Sequence, residues 1–124
     1  MEKPSVTVIV LNWNGKDLTI ECLESLKQVN YSNFNILVVD NGSTDGSVEL
    51  LKEKFPEVSI LVLEKNLGYA SGNNRGFDSL KPDQPEFVIF LNNDTIVDKN
   101  FIDPLVKQLL NHKKASQTLS LIHI

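Results

Sequence analysis

Cysteine, methionine and tryptophan occur once each in the 124 residues, and histidine twice. A lone cysteine, Cys22, excludes an internal disulfide framework and a Cys-rich zinc site. No apolar run reaches the length of a membrane span, and the N-terminus has no basic segment followed by an apolar one. Cationic excess is missing as well. Twelve Lys and Arg stand against 16 Asp and Glu, a formal net charge of -4, which argues against nucleic acid as a partner. Neither G-x-G-x-x-G after the first strand nor G-x-x-x-x-G-K-[ST] is present, so a Rossmann cofactor and a P-loop phosphate cradle are both disfavoured. What is there is ordinary globular composition, 41% hydrophobic and 23% charged, in a length that suits one domain. The chain reads as cytoplasmic, with a peripheral place at the inner face of a membrane also open to it.

Four short apolar runs recur, each closed by an Asn/Asp/Gly-rich turn: Val6 to Leu11, Phe34 to Val39, Val58 to Leu63, and Phe87 to Leu91. Runs this short and rich in Val, Ile and Phe predict strands, and their near-continuous apolar character predicts a sheet covered on both faces, as parallel sheets are. Helical periodicity fills the gaps. Lys16 to Gln28 spaces Leu18, Cys22 and Leu26 about a turn apart, and Ser47 to Phe55 aligns Val48, Leu51 and Phe55 before Pro56 stops it. Gly68 to Leu80 is interrupted by Gly72 and Gly76 and predicts a loop followed by a short helix, while Ile102 to Asn111 predicts a last helix. Alternating strand and helix predicts an α/β fold, a Rossmann-like, mostly parallel sheet with helices on both faces. Cys22, on a helix among apolar residues, reads as a buried small hydrophobe.

The pattern of the fold ends near Lys114. Leu119 to Ile124 has no element to belong to and resembles the in-frame translation of a common sequencing-adapter end. Residues 1–114 are therefore expected to be the folded domain and 115–124 a non-native tail, the alternative being a genuine C-terminal strand.

Open α/β sheets bind ligands beyond the carboxyl ends of their strands, where strand order reverses. That edge carries Asn12 and Asn14, then Asp40 and Asn41, then Asn66 and Gly68, then Asn92, Asn93 and Asp94, with Arg75 the one cation close in sequence. Singly, such residues are turn formers. Together they predict hydrogen bonding to a polar ligand by Asp40 and a hard divalent cation at Asp94 beside a ligand diphosphate. Trp13 is placed there as a stacking platform or a packed rim aromatic.

At these residues the chain resembles glycosyltransferase family 2, in the order Val10-Leu11-Asn12-Trp13-Asn14-Gly15, Val38-Val39-Asp40-Asn41-Gly42-Ser43-Thr44-Asp45-Gly46, Asn66 through Gly76, and Leu91-Asn92-Asn93-Asp94-Thr95. The rhamnosyltransferase-like subset is the nearest in flavour. The resemblance implies the nucleotide-binding half of an A-type glycosyltransferase fold, binding a UDP- or dTDP-linked sugar with Mg2+ or Mn2+. It implies that Asn12, Trp13 and Asn14 line the nucleotide cleft and that Asp40, with Asn41 beside it, reads the imide N–H of the base. Asn66 and Gly68 would then approach base and ribose, Asn73 and Arg75 the ribose or diphosphate. Asn93 would line the donor site, and Asp94 would ligate the metal. Asn92-Asn93-Asp94 stands where the family usually carries Asp-x-Asp, which leaves one carboxylate and predicts weaker metal binding.

The family transfers the sugar, with inversion, to a hydroxyl of an acceptor glycan or lipid-linked saccharide, and its base lies after the metal motif. None of the about thirty residues after Asp94 suits that role. The chain is therefore expected to bind donor without transferring it, and to self-associate through an exposed sheet edge. Two alternatives are a non-catalytic nucleotide-sugar binding module and a receiver-like interaction domain. The main reading requires Asp40 and Asp94 on one rim around a shared hollow.

Overall fold

A computed structural model describes residues 3–116 and 120–123, with side chains up to Asn111. Strands β1 (Val6–Asn12), β2 (Phe34–Asp40), β3 (Ser59–Val62) and β4 (Phe87–Asn92) alternate with helices α1 (Lys16–Lys27), α2 (Ser47–Lys54), α3 (Tyr69–Ser79) and α4 (Ile102–Ser116), and β5 (Ser120–His123) follows. The order across the sheet is β3-β2-β1-β4-β5, every pairing parallel, with Val6 opposite both Phe34 and Phe87. The predicted Rossmann-like α/β fold is the fold observed.

Period-two alternation sends successive strand residues to opposite faces. Val6, Val8, Val10, Phe87, Ile89 and Leu91 join Cys22, Leu23 and Leu26 of α1, Leu51 of α2, and Ile102, Val106 and Leu109 of α4 in one core. Ile9, Leu37, Val39, Val88 and Phe90 form the other, which Phe77 and Leu80 pack against from the α3 side. One face thus carries three helices and the other α3.

Helix α3 is continuous from Tyr69, where the sequence predicted a loop and then a short helix. The two glycines that weaken its helix propensity are what seat it. A Cβ on Gly76 would lie 2.5 Å from Val39 Cγ2, and one on Gly72 would lie 2.8 Å from Leu11 Cδ1. The helix backbone lies directly on the sheet, and burial outweighs a propensity cost of about 1 kcal/mol per glycine.

At the C-terminal end α4 extends past Asn111 to Ser116, and Ser120–His123 pair with β4, so these residues do have an element. The strand takes the free edge of β4, where main-chain pairing needs no special side chain. Because α4 lies on the α1 face while its connection runs the opposite way across the sheet, the β4–α4–β5 crossover has the hand opposite to the other three. Such crossovers normally share one hand.

Candidate functional site

Strand order reverses at β1, which has β2 on one side and β4 on the other, so the crevice of interest lies beyond the carboxyl ends of β1 and β4. A hollow of about 270 Å3 occupies that place, lined by Leu11, Trp13, Tyr69, Asn92, Asn93 and Asp94. Trp13 is 53% exposed and Tyr69 49%. Aromatic faces this open are available for stacking against a planar or sugar ring. The Tyr69 hydroxyl donates to Asn92 Oδ1 at 3.1 Å, across the mouth of the hollow. The Asp94 carboxylate is exposed and has no hydrogen-bond or ion-pair partner among the described residues.

The β1–β2–β3 part of the rim is built differently, because its polar groups are spent on one another. Asp40, 1% exposed, accepts from Asn12 Nδ2 at 2.9 Å on one oxygen and from the Ser43 amide at 2.9 Å on the other. Asn14, whose φ of 49° puts it in the left-handed region, accepts from the Thr44 amide at 2.7 Å, and its own amide donates to Ser43 Oγ at 2.9 Å. Asn41 donates to Asn66 Oδ1 at 3.0 Å and to the Gly68 carbonyl at 3.1 Å, and accepts from the Leu67 amide. Gly42, at φ 80°, lets this loop cross the Lys65–Asn66 backbone, where a Cβ would lie 2.7 Å from Lys65 Cα. Asp45 accepts from the Ser47 amide, from the Ser47 hydroxyl in a very short contact, and from the Lys16 amide. Burial works to raise its pKa, yet these hydrogen bonds from Ser47 and Lys16 hold the carboxyl below its ordinary value.

Beneath the hollow lies Cys22, fully buried, its Sγ 4.0 Å from the Asn92 carbonyl oxygen. Burial, and secondarily the charge of Asp94, push its thiol up to about 12. A thiol so placed is inert, which agrees with the packing role read from the sequence.

The glycosyl transferase family 2 model matches residues 7–122 of the chain. The chain belongs to this family. Among curated relatives, the putative teichuronic acid biosynthesis glycosyltransferase TuaG of Bacillus subtilis is 34% identical over 110 residues, 86% of this chain and 41% of TuaG. The chain spans well under half the length of the curated relatives it matches most strongly. Among solved structures, the Pyrobaculum calidifontis mannosyltransferase PcManGT, in complex with GDP-Man and Mn2+, superposes with a TM-score of 0.69 at 25% identity, over 88% of this chain and 32% of that one. The S. aureus TarS 1-349 complex with UDP-GlcNAc gives 0.74 at 25% identity, over 87% and 32%.

Within this family 2 domain the structure separates residues that the sequence reading grouped. Trp13, Asn93 and Asp94 share the hollow. Asp40 lies on the same rim but does not line that hollow, and both its oxygens are occupied from within the protein. Asn12 and Asn73 are buried, and Asn41 is consumed by the loop that holds Asn66 and Gly68. Arg75 lines a different groove with Leu61 to Lys65 and Leu67. Asp78 pairs with Lys81, at 3.6 Å. Asp98 caps its own turn, accepting from the Asn100 amide. Tyr69 and Thr19 escaped the sequence reading. Tyr69 falls within the Asn66 to Gly76 stretch where a loop is expected, and Thr19 sits on a helix whose periodicity reads as packing.

Proposed function

We propose that this chain is the donor-binding part of a glycosyltransferase that takes a sugar from a nucleoside diphosphate in the presence of a divalent cation. The observation that carries the reading is the Asp94 carboxylate, without a bonded partner among the described residues, in a hollow at the point where strand order reverses. The complexes of PcManGT with GDP-Man and Mn2+ and of TarS with UDP-GlcNAc support a nucleotide-sugar donor. The motifs read from the sequence favour a UDP- or dTDP-linked donor within that class.

The donor set fits Mg2+ or Mn2+. Asp94 supplies one carboxylate, a hard oxygen donor, while the Asn92 amide oxygen beside it already accepts from the Tyr69 hydroxyl. No group of three or more His, Cys, Asp or Glu that could cage an ion exists among the described residues. Such a site suits an ion whose shell is completed by diphosphate and water. When bound, the cation offsets the charge that develops on the leaving nucleoside diphosphate. The protein's own contribution is to hold the donor: Trp13 and Tyr69 flank the opening as ring-stacking faces, while the bonded loops of the β1–β2–β3 side fix the wall behind them.

In the full enzyme the sugar would pass with inversion to an acceptor hydroxyl on a glycan or lipid-linked saccharide, using a base outside the described residues. The domain would work in the cytoplasm, at the inner membrane face when the acceptor is lipid-linked. No helix among the described residues is long and apolar enough to cross a membrane. Self-association through an edge strand belongs to the same proposal, and sedimentation of the isolated chain tests it.

Calorimetry with UDP, dTDP and GDP, with and without Mn2+, tests the reading. At least one should bind, the affinity should drop on metal removal, and Asp94→Ala should abolish the metal dependence. Absence of binding to all three would mean an interaction domain instead. Binding indifferent to Mn2+ and to Asp94→Ala would leave a nucleotide module without the metal site.

A further inference from the structure

One hydrogen-bonded chain runs from the closed side of the rim to the hollow. Asp40 Oδ1 accepts from Asn12 Nδ2 at 2.9 Å, Asn12 Oδ1 accepts from the Thr19 hydroxyl at 2.7 Å, and Thr19 Oγ1 accepts from Asn93 Nδ2 at 3.0 Å. The direction of every bond follows from its first member. A carboxylate only accepts, and Asp40 also accepts the Ser43 amide, so the Asn12 amide must turn its NH2 toward Asp40. Its oxygen then faces Thr19, which has one hydroxyl hydrogen and gives it there. With that hydrogen spent, Thr19 offers Asn93 lone pairs alone, and Asn93 must approach with its NH2. The Asn93 carbonyl oxygen is left on the opposite side of a planar amide, with no partner among the described residues, in a side chain that lines the hollow beside Asp94. Gly15 makes room for this arrangement, since a Cβ there would lie 2.8 Å from Asn93 Nδ2.

We propose that buried Asp40, acting through Asn12 and Thr19, presents the Asn93 amide oxygen beside Asp94 as the second protein ligand of the divalent cation. The inference rests on the donor-site reading above and deepens it. Asp40, Asn12 and Thr19 become positioning residues, and Asn93 becomes a ligand in a motif with a single carboxylate. The closed side of the rim thereby sets the orientation of a group on the open side, a link that outer-shell partners commonly make at metal sites.

The test is Mn2+ binding alone, followed by electron paramagnetic resonance of the free ion, with the urea midpoint of each variant measured in parallel. Asn93→Ala and Thr19→Val should each weaken Mn2+ binding by about tenfold, the low end of outer-shell effects. Thr19→Ser, which keeps the hydroxyl, should stay within about twofold of the wild type. Asn93→Ala leaves the Thr19–Asn12 bond in place, so it reports even if Thr19→Val unfolds. Should Asp94→Ala abolish Mn2+ binding while Asn93→Ala leaves it unchanged, the ligand assignment is wrong and the donor-site reading survives. A folded Thr19→Ser as weak as Thr19→Val would overturn the relay. If the wild type itself binds no Mn2+, with or without UDP, dTDP or GDP, the donor-site reading fails first and takes this inference with it.

Discussion

The two sides of the rim use the same residue types for opposite ends. On the β1–β2–β3 side, Asn12, Asn14, Asp40, Asn41 and Asn66 bond to one another and to adjacent backbone, and Asp40 is buried. On the β4 side, Asp94 is exposed and has no bonded partner among the described residues, and two aromatic rings stand half in solvent. What separates them is whether an adjacent loop supplies hydrogen-bond partners. Where two strand-end loops lie side by side, their amides and carboxylates satisfy each other, because a buried polar group left unpaired costs about 1 to 3 kcal/mol. Where the strand order reverses, Asn92 accepts from Tyr69 and Asn93 donates to Thr19, but the Asp94 carboxylate is left without a partner among the described residues. The two sides thus differ by topology, not by residue identity.

Removing each aspartate breaks this comparison most directly. Asp40→Ala strands the Asn12 amide and the Ser43 N–H in a buried place and should destabilise the domain by about 3 kcal/mol or more. Asp94→Ala removes an exposed side chain with no partner and should shift stability by no more than about 0.5 kcal/mol. Urea denaturation of both variants measures it. Equal losses would mean that the two sides are not built differently.

The closed side also depends on α3 lying flat on the sheet. Gly76→Ala forces a methyl against Val39 and should cost about 1 to 2 kcal/mol, overpacking being partly offset by better helix propensity. Gly46→Ala meets nothing within 4 Å and carries only the penalty of its left-handed φ of 83°, about 1 kcal/mol. Thermal midpoints should rank wild type above Gly46→Ala, and Gly46→Ala above Gly76→Ala. The reverse order would place the strain in the turn before α2 instead of under α3.

The strands and the first two helices were legible because their signals are local: a run of Val and Ile, a stripe ended by Pro56. Helix α3 was not, since Gly72 and Gly76 act on the sheet beneath them, and propensity cannot see that contact. The rim was legible as a rim. Which aspartate faces a ligand was not, because Asp40 and Asp94 each follow a strand and differ only in what the neighbouring loop brings to them. The sequence makes both aspartates ligand-facing, and the structure buries Asp40 while leaving Asp94 exposed. Thr19 could be found only after the fold placed a hydroxyl between Asn12 and Asn93.

The smallest expected effects lie in the response to pH, and they too divide the rim. Asp45, on the closed side, has its carboxyl held below the ordinary value. In acid the unfolded chain therefore takes up this proton before the native one does, so its contribution is present above about pH 4 and is lost as pH falls. Cys22, under the open side, behaves inversely. With its thiol pushed to about 12 from an ordinary 9.0, the native state keeps a proton that the unfolded state gives up. Stability should therefore fall as pH rises above about 9, by about 1 kcal/mol at pH 10. Lysines titrate in the same range, so the informative quantity is the difference between wild type and Cys22→Ala in urea midpoints from pH 8 to 10.5. Cys22→Ala should start less stable and lose less on the way up. Asp94→Asn, which removes the lesser of the two causes, should leave that alkaline slope nearly unchanged below pH 10.5, because the unfolded thiol sets it there, and should not touch the acid one. An Asp94 change that moved the acid limb instead would mean that the two sides of the rim share their electrostatics as well as their hydrogen bonds.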